Sequence, residues 1–144
     1  MAAPSSDILV SLYDGVYGRT LRIDLQSIAH ARLLRAMFQS LHDGVRVSLK
    51  LLPDELWMFD GLSQLVLTTI TRGDAGAREV RSDTQGSPSV DWRMYADGWG
   101  SCLDLLATLV ADAAPGHQYL TEERKGCVLV VLALLEPRPA RAER

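Results

Sequence analysis

The sequence predicts an α+β domain: a mainly antiparallel sheet of about five to seven strands with two helices packed on one face. Three observations predict it. Most apolar residues fall in short runs that alternate with polar ones, the period of strands with one dry and one wet face. Two longer stretches switch to the helical period. The chain has 144 residues, 47% of them apolar and 23% charged, which is enough for one core without disulfide or metal staples and too little for two domains. Residues 1–136 are therefore expected to form a single domain, and 137–144, with two prolines and no apolar period, a frayed tail.

The first elements form a hairpin. Ile8, Val10 and Leu12 alternate with Leu9, Ser11 and Tyr13, Asp14-Gly15 supplies a turn, and Leu21, Ile23 and Leu25 form the returning row. From Ser27 the period changes: Ile28, Ala31, Leu34, Met37 or Phe38, and Leu41 share a stripe. Asp24 or Ser27 is placed to cap its start, and Gly44 to stop it after Asp43. Val45 to Leu51 alternates again. Pro53 to Gly61 suggests one helical turn, and Gln64 to Thr71 another strand. Arg72 to Ser89 reads as a connection with at best a short strand near Arg78 to Arg81, followed by a half-wet strand from Val90 to Tyr95. Trp99, Leu103, Leu106, Val110 and Ala113 lie on one side of a second helix, with Ser101 and Asp104 spaced like a variant capping box and Pro115-Gly116 ending it.

The closing strand, Gly126 to Glu136, departs from alternation. Its rows Cys127, Leu129, Val131, Ala133, Leu135 and Val128, Val130, Leu132, Leu134 are both apolar. Exposing four such side chains forfeits on the order of 6 to 12 kcal/mol, so both faces must be covered. A central position sheltered by Pro53 to Gly61 or by the tail is the first explanation. A subunit or partner interface is the second, including a homodimer through this strand.

Composition excludes several functions. A net charge of −3, from 15 basic and 18 acidic groups, lacks the clustered cations with which nucleic-acid binders neutralise phosphates. The start shows no basic n-region, and the longest apolar run, Cys127 to Leu135, is far shorter than the ~20 residues a membrane span needs. A cytoplasmic protein with two free thiols is expected. No cofactor or metal is expected either. His30, His42 and His117 have no ligand spacing, and the glycine pairs around Gly15 and Gly98 are too short for a dinucleotide fingerprint.

Two segments remain as partner-binding candidates. In Pro115-Gly-His-Gln-Tyr-Leu120 an extended chain puts His117 and Tyr119 on one face and Gln118 and Leu120 on the other; the pair offers donors, acceptors and aromatic area. Acidic and aromatic side chains also meet in Asp54, Glu55, Trp57, Phe59 and Asp60. An enzymatic alternative uses Cys102, placed in the first turn of the second helix where the dipole lowers a thiol pKa, or His117 as a base. A helix of roughly 20 Å separates the two, against their acting together.

From Trp92 to Glu136, the amphipathic helix, Gly116-His117-Gln118-Tyr119-Leu120, the polar turn Thr121 to Lys125 and the apolar closing strand resemble the C-terminal part of small bacterial immunity proteins of polymorphic toxin systems. The resemblance implies a non-enzymatic protein that neutralises a cognate toxin domain by surface complementarity.

Overall fold

The computed structural model describes residues 7–81, 86–112, 114–122 and 124–137. In chain order the elements are β1 (Ile8–Gly15), β2 (Gly18–Leu25), α1 (Ile28–His42), β3 (Ser48–Leu51), β4 (Trp57–Asp60), β5 (Gln64–Thr69), β6 (Gly76–Val80), β7 (Ser89–Met94), α2 (Ala96–Asp112), β8 (Gly116–Tyr119) and β9 (Leu129–Leu134). The class is α+β, as expected. The expected tail falls almost wholly outside the described residues.

The β1–β2 hairpin is longer than the alternation indicated. Its ladder runs from Leu9↔Asp24 to Gly15↔Gly18, so the reversal occurs at Val16-Tyr17 and Asp14-Gly15 belongs to the strand. Just past the reversal, the Thr20 hydroxyl donates back to the Gly18 carbonyl at 2.9 Å. Helix α1 starts at Ser27, whose side chain accepts from the His30 N–H at 3.1 Å. It stops at Asp43, followed by Gly44 at φ 78°, the left-handed exit that glycine adopts without steric cost. Its buried stripe is His30, Ala31, Leu34, Phe38 and Leu41.

Two local expectations are corrected. Pro53 to Gly61 holds no helical turn: Asp54 Oδ1 accepts from the N–H groups of Leu56 and Trp57, both at 2.8 Å, an Asx turn that launches β4. Ser101 is no cap, because α2 begins five residues earlier at Ala96; its hydroxyl donates to the Asp97 carbonyl at 3.2 Å within the helix.

The single, mainly antiparallel sheet is also corrected. The described residues form two mixed sheets, with strand orders β4-β1-β2-β9-β8 and β3-β5-β7-β6. β1 with β4, β2 with β9 and β5 with β7 are parallel. Val128 N–H donates to the Ala77 carbonyl at 2.8 Å, one bridge between the segment entering β9 and the end strand of the other sheet. The helices pack on each other, α1 also against β2 and β5 and α2 against β7, β8 and β9, so the helix pair spans both sheets. A single apolar cluster results, with Phe38, Trp92 and Trp99 among its largest buried side chains. Phe38 and Trp99 stack with centroids 5.6 Å apart, and Trp92 meets Phe38 edge-on at 5.8 Å.

β9 is buried along its whole length. It sits between β2 and β8, so both of its edges are paired, in agreement with a central strand. Its cover is not Pro53 to Gly61, because β4 lies at the far edge of the same sheet. Val130, Leu132 and Leu134 join the common core. Leu129 and Val131 lie on the opposite face, where they share a groove with Tyr13, Tyr17, Arg22, His117 and Tyr119.

Candidate functional site

The outer face of the five-stranded sheet follows from the register. Thr20, Arg22 and Asp24 of β2 stand beside Leu129, Val131 and Ala133 of β9. His117 and Tyr119 of β8 stand beside Ala133 and Val131. Side chains two apart on a strand share a face, so His117 and Tyr119 project outward while Gln118, opposite Leu132, points to the helix side. The segment is extended, and the two rings share a face as their spacing indicates.

The groove has a volume of about 570 Å³. Aromatic rings form one wall: His117 meets Tyr119 edge-on at 5.8 Å between centroids, and Tyr119 meets Tyr17 edge-on at 6.4 Å. Tyr17 is 58% exposed and Tyr119 45%, so these rings are ordered by one another yet open to solvent. Leu129 and Val131 supply an apolar floor.

A charged chain crosses the same face. Arg22 Nε donates to Asp24 Oδ1 at 2.9 Å and Arg22 Nη2 to Glu136 Oε1 at 3.1 Å. Glu136 Oε2 lies 2.9 Å from His117 Nδ1. Burial opposes the charge on Arg22, but the hydrogen bond to Asp24 and the charges of Asp24 and Glu136 outweigh it and raise its pKa. Glu136 thus holds two groups at once, fixing the imidazole with Nδ1 toward the carboxylate.

The acidic-aromatic segment does not join this site. β4 and β8 are the opposite edges of the sheet, four strand spacings or roughly 19 Å apart. Trp57 is buried in the core, Asp54 is occupied by its turn, Glu55 is exposed, and Asp60 is half-buried beside Ser11. Sequence reasoning missed Tyr13, Tyr17, Arg22 and Glu136. Tyr17 in a hairpin tip and Glu136 beyond the last strand carry no periodic signal; only the register brings them to His117.

The first-turn position expected for Cys102 is corrected. The residue lies in the second turn of α2, fully buried, and desolvation pushes its thiol up to about 12, the opposite of the activation expected at a helix start. His30 is buried with Nδ1 accepting from the Gln26 N–H at 3.1 Å, and His42 bonds Asp43 at 2.9 Å. Among the described residues no group of His, Cys, Asp and Glu is arranged to hold a metal ion, and no helix is long and apolar enough to cross a membrane. A wider groove of about 870 Å³ runs between α1 and α2, with Arg32 and Arg35 on one wall and Asp97 and Asp104 on the other.

Compared with known proteins, the chain matches no protein-family model, no curated protein and no solved structure.

Proposed function

We propose that this chain is a non-enzymatic protein-binding domain of the immunity kind, which neutralises a toxin domain by covering it with the outer face of the five-stranded sheet. The observation that supports this reading is the exposed ring series Tyr17, Tyr119 and His117 above an apolar floor. Aromatic rings already oriented by their neighbours lose little entropy on docking, and interfaces concentrate their energy in such anchors. Arg22 and His117, held by Glu136, add fixed donors at the rim.

The experiment is titration calorimetry of this chain against the purified domains encoded beside its gene. A stable equimolar complex, weakened about tenfold or more by Tyr119→Ala or His117→Ala, supports the reading. Binding to none of those neighbours, or binding indifferent to both substitutions, removes it.

A second reading is favoured by one contact. A histidine paired to a carboxylate at 2.9 Å and lining an open groove is the arrangement of a general base. Turnover of a small-molecule substrate lost in both His117→Ala and Glu136→Gln would support it.

A further inference from the structure

We propose that β3 is a dimerisation edge: a second copy of this chain pairs with it antiparallel across a twofold axis through Leu49, making the two four-stranded sheets continuous. β3 is the end strand of its sheet. The opposite end strand, β6, already receives the Val128 bridge. Exposed apolar side chains gather at the β3 end, with Val45 75% and Val47 66% exposed and Leu52 beyond them.

The direction of the backbone groups selects the occupant. The Val47 carbonyl accepts from Thr69 N–H at 2.8 Å, so residue 47 faces β5. Alternation along an antiparallel ladder then turns Leu49 and Leu51 toward β5 and points the N–H and C=O of Ser48 and Lys50 away from the sheet. Arg46 N–H is used by the Ser40 carbonyl at 3.2 Å. A second copy must oppose outward residues to outward residues, which leaves registers centred on Ser48, Leu49 or Lys50. Centring on Ser48 sets Arg46 against Lys50 of the partner subunit, and centring on Lys50 sets Lys50 against the partner's Lys50; like charges directly opposed are unfavourable. Centring on Leu49 opposes Ser48 to the partner's Lys50 twice, forming four backbone hydrogen bonds. It also seats Val47 on the partner's Leu51 and Leu49 on the partner's Leu49. The edge is therefore self-complementary in one register, the condition for a closed twofold interface. It lies in the other sheet from His117 and Tyr119, so both surfaces are usable together.

Sedimentation velocity of the full chain up to about 500 µM tests the proposal. A monomer converting to a dimer is expected. Ser48→Pro and Lys50→Pro each delete one outward N–H that the monomer's own sheet does not use, and each should weaken the dimer about tenfold or more with an unchanged circular dichroism spectrum. In a Cys127→Ser background, S48C mixed with K50C should oxidise to a covalent dimer, because directly opposed residues lie about 5.5 Å apart, within disulfide reach. Each variant alone should cross-link far less. A monomer throughout the range, a dimer indifferent to both prolines, or cross-linking of S48C or K50C alone as efficient as the mixture overturns the proposal. Should the proline variants not fold, the cross-linking pair decides it.

Discussion

His117 Nδ1 lies 2.9 Å from Glu136 Oε2, and the other oxygen of the same carboxylate takes Arg22 Nη2 at 3.1 Å. Three segments remote in sequence, β2, β8 and the chain just past β9, are thereby tied together on one face. Glu136→Ala should cost roughly 1–2 kcal/mol, more than an ordinary surface pair because Arg22 is mostly buried and, among the described residues, keeps Asp24 as its remaining ion-pair partner. Urea unfolding monitored by tryptophan fluorescence measures this, and an unchanged midpoint would show the contact to be energetically idle.

The two cysteines should behave differently. With its thiol pushed up to about 12 and no exposed surface, Cys102 should resist a thiol reagent near pH 8 until the protein unfolds. Cys127, partly exposed, should react in the native state. One fast equivalent is expected, none after Cys127→Ser, and two in denaturant. Rapid native labelling of Cys102 would contradict its burial.

Glu79 carries a pH dependence. The hydrogen bond from Arg19 Nε at 2.8 Å, aided by the Arg19 and Arg81 charges, holds its pKa below the ordinary 4.5. A carboxylate depressed on folding stabilises the native state above its unfolded value, and that stabilisation is lost as pH falls through the folded value. Between about pH 6 and about pH 3, wild type should lose up to about 1 kcal/mol more stability than Glu79→Gln, within the range for pairs near solvent. Parallel acid titrations of the two proteins test the difference.

Glycine positions separate strain from collision. Gly61 and Gly18 both have positive φ, 86° and 113°, but a Cβ at Gly61 would strike the Leu12 carbonyl oxygen while one at Gly18 meets nothing within 4 Å. Gly18→Ala should cost about 1–2 kcal/mol of backbone strain, and Gly61→Ala distinctly more, since a backbone oxygen of β1 must move. Equal melting temperatures for the two variants would refute this ranking.

The aromatic cluster should dominate core stability. Phe38 stacks on Trp99 and meets Trp92 edge-on, so Phe38→Ala should cost about 3–5 kcal/mol. A melting point within a few degrees of wild type would show that the cavity collapses.

The sequence by itself determined which residues alternate and which follow the helical period, because both signals are local. Ile8 to Leu12, Ser27 as one of two candidate caps, most of the α1 stripe and the doubly apolar β9 were legible for that reason, as was the shared face of His117 and Tyr119. Tertiary structure alone decided the partners of each strand: that β9 lies parallel to β2, that β4 flanks β1 as an edge, and that the strands divide into two sheets. Alternation says which face is dry but not which strand sits alongside. Many pairings satisfy the same backbone hydrogen bonds, and the choice among them is made by packing all the apolar rows around one helix pair at once. The site inherits this dependence, since Tyr17, Arg22 and Glu136 reach His117 only after β8, β9 and β2 have been set side by side.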